Sequence, residues 1–372
     1  VVKHGHAEPL ARCRVLEAGH PYPDSDGVRA TEEVLRFASK ARAQDLHLVL
    51  LTGGASALLA GPAGALTLDD ELAVSRLLVA SGATIQEVNV VRRHLSRIKG
   101  GQLARALAPS TSLTLAISDV LGDDPATIGS GPTVPDPSTH ADALAILGRF
   151  GLAEQVPTPV LRHLRAGAAG DLPETPKPGD PAFERTRFAI VASSDDAVAA
   201  AAAAARAAGC RIVRWPGPLE GDVHVAARAF AGRLRALAAA ATALDPPTLL
   251  LAGGETTLRV RGAGRGGRCQ EFAAIAATEF AGTDGLTLLA AGTDGTDGPT
   301  DAAGGFADGG TLERARRAGL DPAARLADND SHRLLAGAGD LFVTGPTGTN
   351  VMDLVLGVVG TTDGSPGVGP LS

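Results

Sequence analysis

Several times along this chain a short, nearly unbroken apolar run stops at a cluster of Gly, Ser, Thr or Asp. Residues 45–51 (DLHLVLL) run into Thr52-Gly53-Gly54-Ala55-Ser56-Ala57, and residues 112–118 (SLTLAIS) into Asp119-Val120-Leu121-Gly122-Asp123-Asp124. Residues 188–192 lead to Ser193-Ser194-Asp195-Asp196 and an alanine-rich helix, residues 248–252 to Gly253-Gly254-Glu255, and residues 286–291 to Gly292-Thr293-Asp294. A continuous apolar run of this length suits a strand of a parallel sheet with both faces covered. Turn residues at the end of such a strand are where open α/β sheets hold ligands. The chain is therefore expected to be an α/β protein, with 45–51 a buried parallel strand.

Bulk properties narrow the class. Forty-seven glycines against nine Phe, one Trp and one Tyr imply a core of Ala, Leu and Val with many tight turns. At 372 residues the chain exceeds what one core usually supports, so two domains are expected. A formal charge of −7 argues against a nucleic-acid surface. Cys13, Cys210 and Cys269 have no paired spacing, which speaks against zinc and disulfides and for small buried or half-buried hydrophobes. No signal peptide and no apolar run near the ~20 residues of a membrane helix is visible, so a cytoplasmic location is expected.

Residues 69–81 and 84–107 have helical periodicity, and the second segment concentrates Arg92, Arg93, His94, Arg97 and Lys99. That run reads equally as a solvated helix face or as part of a site. Gly100-Gly101 fits a helix stop. Residues 130–138 and 173–181 are proline-punctuated loops, and a composition change near residue 245 marks the main domain boundary. Further strands are expected at 257–261 and 341–344, with helices near 268–280 and 310–318. Residues 360–372 read as a flexible tail.

The chemistry concentrates in residues 249–272, LLLAGGETTLRVRGAGRGGRCQEF. Gly262 to Gly267 formally contain G-x-G-x-x-G, but the preceding segment is polar and the expected acid is only loosely met by Asp284, which weakens a dinucleotide reading. The same glycines can instead bare their amides, with the N-terminus of the following helix, to a phosphate that Arg265 or Arg268 clamps. A plain glycine-rich hairpin is the bland alternative. Asp294, in GTDGTDG at 292–298, suits magnesium or a substrate hydroxyl, or merely caps a turn; the calcium-loop spacing is absent. Asp328-Asn329-Asp330 precede a short helix and could serve as its N-cap. The loop 344–350, with Thr347 and Asn350, offers hydroxyl and amide groups for phosphate or ribose before an expected helix. Neither a Walker A loop nor a G-x-S-x-G elbow occurs.

In this order, GHPYPDSDG at 19–27, LTGGASALL at 51–59, NVVRRHLSRIKGGQLA at 89–104, ISDVLGDDPATIGSGPTVPDPST at 117–139, GGETT at 253–257, GRGGRCQEF at 264–272, GTDGTDG, DNDSH at 328–332 and TGPTGTNVMDL at 344–354 resemble the class II glycerate 2-kinases. These carry a so-called MOFRL module, and many relatives are labelled hydroxypyruvate reductase. The resemblance covers residues 1–357. It implies a Rossmann-like N-terminal domain with a parallel sheet over 1–244, and a smaller mixed α/β domain over 245–359 closing on an active-site cleft.

The implied reaction is transfer of the γ-phosphoryl group of ATP, with Mg2+, to the 2-hydroxyl of D-glycerate. By motif match Glu255, Arg268, Asp294 and Asn350 fall on functional positions, and Asp119 is similar to the N-terminal acid; Glu255 and Asp294 are also the metal candidates. Gly264, Gly266, Gly267, Thr347 and Asn350 would face the nucleotide. Gly53, Gly54, Ser56 and Arg92, or Arg97, would hold the glycerate carboxylate. The partners implied are small molecules, with a homo-oligomer compatible. One departure stands out: family members usually carry an upstream G-K-A-x-x-M-A motif whose lysine serves the chemistry, and only Lys3 and Lys99 stand near that role here. The expectation is a missing N-terminal segment or a shortened homologue, so an idle nucleotide-binding relative and an NAD(P)H-dependent reductase remain the alternatives.

Overall fold

A computed structural model describes residues 1–242 and 245–360, so the tail residues 361–372 lie outside the described residues. The chain forms two compact units, Val1–Val191 and Ala192–Ser372.

In the first unit, β1 (Val2–Lys3) and β2 (Glu17–Ala18) pair in parallel ahead of α1 (Ser25–Ala38), β3 (Leu46–Leu51) and the short α2 (Ala55–Leu58). Helices α3 (Leu68–Ala80), α4 (Ile85–His94) and α5 (Gln102–Leu107) follow, then β4 (Thr111–Ile117), α6 (His140–Arg149), α7 (Thr158–Ala168) and β5 (Thr186–Ala192). Reciprocal capping boxes start three of these helices, Thr67 with Asp70, Thr84 with Glu87 and Thr139 with Asp142. Val74, Leu78, Val88, Val91, Leu147 and Leu164 close the core of a lobe formed by α3, α4, α6 and α7.

The central sheet has the order β3-β4-β5, and β3 runs parallel to β4 as expected. It is not buried on both sides. Val49 packs with Ala38, Ile98, Leu103 and Leu107 beneath α1 and α5, whereas Leu46, Leu48 and Leu50 are 63%, 59% and 75% exposed. An edge strand alternates its faces with a period of two, and the unbroken apolar letters concealed that alternation.

Residues 84–107 do not form one helix. The chain leaves α4 at His94, makes an isolated bridge between Ser96 and Pro62, and re-enters helix at α5. Gly100 and Gly101 have φ of +56° and +80°, and Gly101 occupies the N-cap of α5, so the pair opens a helix where a stop was expected. The charge run is buried too. Arg93 donates to Asp136 at 3.2 Å and to the Ala126 carbonyl at 2.6 Å, while only Arg97 of the five faces solvent.

The second unit contains α8 (Ser194–Ala207), β6 (Arg211–Arg214), α9 (Val223–Ala240), β7 (Thr248–Gly254), α10 (Arg268–Phe280), β8 (Leu286–Gly292) and β9 (Gly304–Asp308). It ends with α11 (Thr311–Arg317), α12 (Pro322–Ala327), α13 (Ser331–Ala338), β10 (Leu341–Phe342) and β11 (Asp353–Val359). Six strands are ordered β10-β9-β8-β11-β7-β6; β6 and β7 are parallel, and β11 lies antiparallel between β7 and β8. Here the doubly covered strand is realised. Leu249 and Leu251 of β7 pack on α8, while Leu250 joins Phe230, Leu234, Phe272 and Phe280 of α9 and α10.

The division of the chain after Val191 lies upstream of the composition change near 245, because β6 pairs with β7 and both α8 and α9 cover it. Residues 257–261 form no strand beyond a single bridge from Thr257 to Asp222. Asn350 is followed by β11 and no helix. That strand is where the apolar run 354–359 goes, inserted between two others that precede it in sequence.

Candidate functional site

The antiparallel register sets Asp353 of β11 opposite Gly254 of β7 on one side and Gly292 of β8 on the other. Glu255 and Asp294, just past those strand ends, therefore share one end of the sheet with Asp353. Arg268, first residue of α10, reaches all the way to that end. Its Nε and Nη2 donate to the Asp353 carboxylate at 2.6 and 3.0 Å, and its Nη1 lies 2.6 Å from Glu255 Oε1. Burial disfavours the guanidinium charge, but the two carboxylates outweigh it and hold the Arg268 pKa above its ordinary value. Asp353 is buried, which raises its pKa; Arg268 opposes the rise and Asp294 adds to it.

The loops after β8 and before β11 are laced together. The Asp294 carboxylate accepts from the amide and hydroxyl of Thr296, both at 2.9 Å, so it caps its own turn. The Thr347 amide donates to the Asp294 carbonyl, Thr347 Oγ1 donates to the Thr293 carbonyl, and the Val351 amide donates to Thr293 Oγ1. Asn350 Oδ1 accepts from the Met352 amide at 3.0 Å. Glu255, Arg268, Asp294, Thr347 and Asn350 are thus brought to one region. Asp353 was missed from sequence, although it sits in the TGPTGTNVMDL motif; its signal is a lone acid at the start of an otherwise apolar strand.

The glycine-rich loop corrects an expectation. The amides of Arg261 and Gly262 donate to Asn329 Oδ1 at 2.7 and 3.2 Å, that of Ala263 to Asp328 Oδ1, that of Gly264 to the Asp328 carbonyl and that of Arg265 to Asp330 Oδ1. These five amides are occupied by the protein, so Gly264 offers none to a phosphate. The start of α10 is also taken: the Cys269 and Gln270 amides donate to the Asp297 carboxylate at 3.1 and 2.8 Å. A Cβ at Gly267 would run into that carboxylate, which is one reason the position is glycine. Burial pushes Asp297 up to about 6 despite these donors. Arg265 donates from Nη2 to the Pro299 carbonyl at 3.0 Å, and its charge adds to the His332 hydrogen bond in holding the Asp301 carboxyl below its ordinary pKa. Asp328, Asn329 and Asp330 are hence anchors of the loop; Asp330 takes the N-cap position of α13 without a side-chain capping bond.

The first unit holds a cavity of about 440 Å³ lined by Gly54 and Ser56 from the turn after β3, Glu71 and Ser75 of α3, Arg92 of α4, and Lys99. Arg92 Nε donates to Ser75 Oγ at 3.2 Å, and Lys99 Nζ to the Leu59 carbonyl at 2.9 Å. Ser56 Oγ is 2.9 Å from Ser130 Oγ, which in turn donates to Asn89. Gly53 borders a different cavity of about 240 Å³ beside α1. Asp119 follows β4 and lines neither; burial raises its pKa. Arg97 is exposed and pairs with Glu32. Sequence reasoning missed Glu71, because the acids Asp69, Asp70 and Glu71 together resemble first-turn helix dressing, and only the fold turns the third one inward.

Among the described residues, metal-type side chains cluster at His94, His140 and Glu174 and at His4, Asp24 and Asp26, without Glu255 or Asp294. In the first of these Lys177 Nζ already lies 3.1 Å from Glu174. Cys269 is buried, with its thiol pKa raised by burial, and Cys210 is partly covered, but Cys13 is exposed, contrary to the expectation for it. No helix among the described residues is long and apolar enough to cross a membrane.

Residues 1–165 match the family described as domain of unknown function DUF4147, and residues 248–353 match the MOFRL family. The glycerate 2-kinase of Pyrococcus horikoshii is 38% identical over 96% of this chain and 81% of its own length. The D-glycerate 2-kinase of Thermotoga maritima is 38% identical over 96% of this chain and 83% of its own. A protein of Agrobacterium vitis, 43% identical over 95% of this chain and 79% of its own, is provisionally named a hydroxypyruvate reductase. The crystal structure of glycerate kinase from Thermotoga maritima matches with a TM-score of 0.85, over 96% of this chain and 84% of that one.

Proposed function

This chain belongs to the class II glycerate kinase family, and we propose that it transfers the γ-phosphoryl group of ATP to the 2-hydroxyl of D-glycerate, giving 2-phosphoglycerate and ADP. The observation that carries this reading is the match of nearly the whole chain to a solved glycerate kinase. Phosphoryl transfer asks a protein chiefly for alignment and for charge at the transferring group. Arg268, held by Asp353 along its Nε/Nη2 edge and by Glu255 at Nη1, supplies a guanidinium that stays charged at any working pH. Its two carboxylate partners fix its direction before substrate arrives, which is the kind of preorganisation that favours a transition state over a ground state.

In this proposal magnesium is held at this end of the sheet. Asp294 and Glu255 offer the hard oxygens the ion prefers, and such an ion needs only one or two carboxylates beside the phosphates. The Asp294 side chain is held by Thr296 alone among the described residues. When bound, the ion neutralises phosphate charge. Thr347, Asn350 and the Gly266-Gly267 edge are the nucleotide-side groups in this proposal, and Gly54, Ser56 and Arg92 of the first unit the carboxylate-side groups. Asp119 is kept as the acid of the first unit. A cytoplasmic enzyme suits an exposed unpaired cysteine.

The test is release of ADP from MgATP by the purified chain with D-glycerate, with the product identified by phosphorus NMR. A chain that binds both substrates without turnover is the idle relative. The Agrobacterium vitis name favours a second reading, reduction of hydroxypyruvate by NADH. Loop amides engaged by Asp328, Asn329 and Asp330 leave that reading without its pyrophosphate cradle. NADH oxidation by hydroxypyruvate in the absence of ATP would establish it instead.

A further inference from the structure

We propose that the cavity of the first unit is a subsite for a small 2-hydroxy acid, in which Lys99 joins Arg92 in binding the carboxylate and Glu71 accepts a hydrogen bond from the hydroxyl. The identity of the acid as D-glycerate rests on the kinase reading; the chemistry of the pocket does not. Three cations, Arg76, Arg92 and Lys99, and one acid, Glu71, line a space whose apolar walls are Leu72, Val74, Val79, Leu95 and Pro21. A net positive charge set among apolar side chains is uncompensated until an anion enters. Lys99 is 5% exposed, and of its three ammonium hydrogens one goes to the Leu59 carbonyl. Arg92 is anchored through Nε to Ser75, which leaves its two terminal nitrogens as a fork for a carboxylate.

Glu71 gives the pocket its second half. Its Oε1 is buried and accepts no hydrogen bond, a cost that a ligand hydroxyl would remove. An amine in the hydroxyl's place would stand against Lys99 and Arg92, and a simple carboxylic acid would leave Glu71 without its donor. A hydroxyl beside a carboxylate satisfies all three side chains. Burial depresses Lys99 to about 8, with Glu71 opposing the shift and Arg92 adding to it. It also raises Glu71, with Lys99 and Arg92 opposing that rise. Arg76 of α3, together with His20 and Tyr22 ahead of α1, are the other ionisable groups lining the space.

Calorimetric titration of the full chain with D-glycerate, without nucleotide, tests this apart from the kinase reading. The wild type is expected to bind D-glycerate at least tenfold more tightly than propionate. Its affinity should fall as pH rises through 8, where Lys99 loses its charge; Lys99→Arg should bind well and stay flat across that range. Lys99→Met should lose at least tenfold, and Glu71→Leu should shrink the preference for D-glycerate over propionate. Glu71→Gln keeps the shape of the site if Glu71→Leu fails to fold, and it should shrink the same preference to a smaller degree. No binding of D-glycerate by the wild type, or equal affinity in Lys99→Met, overturns the proposal. Binding without ADP release keeps this subsite and removes the kinase. Turnover with an unmoved KM in the Lys99 and Glu71 variants keeps the kinase and removes this subsite.

Discussion

Arg268 is the residue on which the chemistry of the second unit turns, because one guanidinium serves two carboxylates and one of those is buried. Replacing it by alanine should depress kcat more than tenfold, and Arg268→Lys should not restore it, since an ammonium cannot make the paired contact to Asp353. The same change strands the Asp353 carboxylate, which costs about 3–5 kcal/mol for a buried pair broken from one side. Turnover must therefore be measured per folded molecule, with thermal melting alongside. Asp297 makes a different prediction. Its folded pKa of about 6 lies above the unfolded value, so the native state binds the proton more tightly and ionisation lowers stability. As pH rises from about 4 to about 6 the wild type should lose stability relative to Asp297→Asn, and the difference should level off above that window. Melting temperatures of the two proteins across pH 4–8 check this; parallel curves would refute the assigned burial effect.

Among elements, the glycine-rich loop best separates what letters can and cannot say. Its glycines, arginines and following helix were legible, and α10 starts at the expected residue. Where its amides go was not legible, because their acceptors lie more than sixty positions on, at Asp328, Asn329 and Asp330. Asn329 bonds two amides from a left-handed backbone with φ of +54°. Asn329→Ala should destabilise the unit by about 1–3 kcal/mol in urea unfolding, since it removes the acceptor of two part-buried amides at about 0.5–1.5 kcal/mol each. Asn329→Gly should recover part of that loss, since glycine relieves the backbone but restores no acceptor. The strands teach the same lesson. Residues 45–51 and 248–254 are both apolar runs ending in glycines, yet β7 has helices on both faces and β3 on one. Neighbours decide how many faces of a strand are covered, and a run of Leu and Val is compatible with either.

At the scale of the whole molecule, each unit carries its own core, and the boundary between them makes a testable claim. Residues 192–372 expressed alone should melt cooperatively, whereas 245–372 should not. The shorter piece lacks β6 and the helices whose Val198, Ala202, Phe230 and Leu234 cover β7, and losing buried side chains of this size costs several kcal/mol each. Circular dichroism melts of both fragments decide the matter; a cooperative transition in 245–372 would restore the boundary drawn from composition. By itself the sequence determined the α/β class and about half of the helices and strands, because periodicity is local and survives in one dimension, and its resemblance to a known family singled out Glu255, Arg268, Asp294 and Asn350. Only the tertiary structure decided that Asp353 enters that cluster, that the glycine loop is closed by Asp328, Asn329 and Asp330, and that Glu71, Arg92 and Lys99 face one cavity. Those relations depend on strand order, on burial and on which groups exhaust one another's hydrogen bonds, and each is fixed when distant segments pack together.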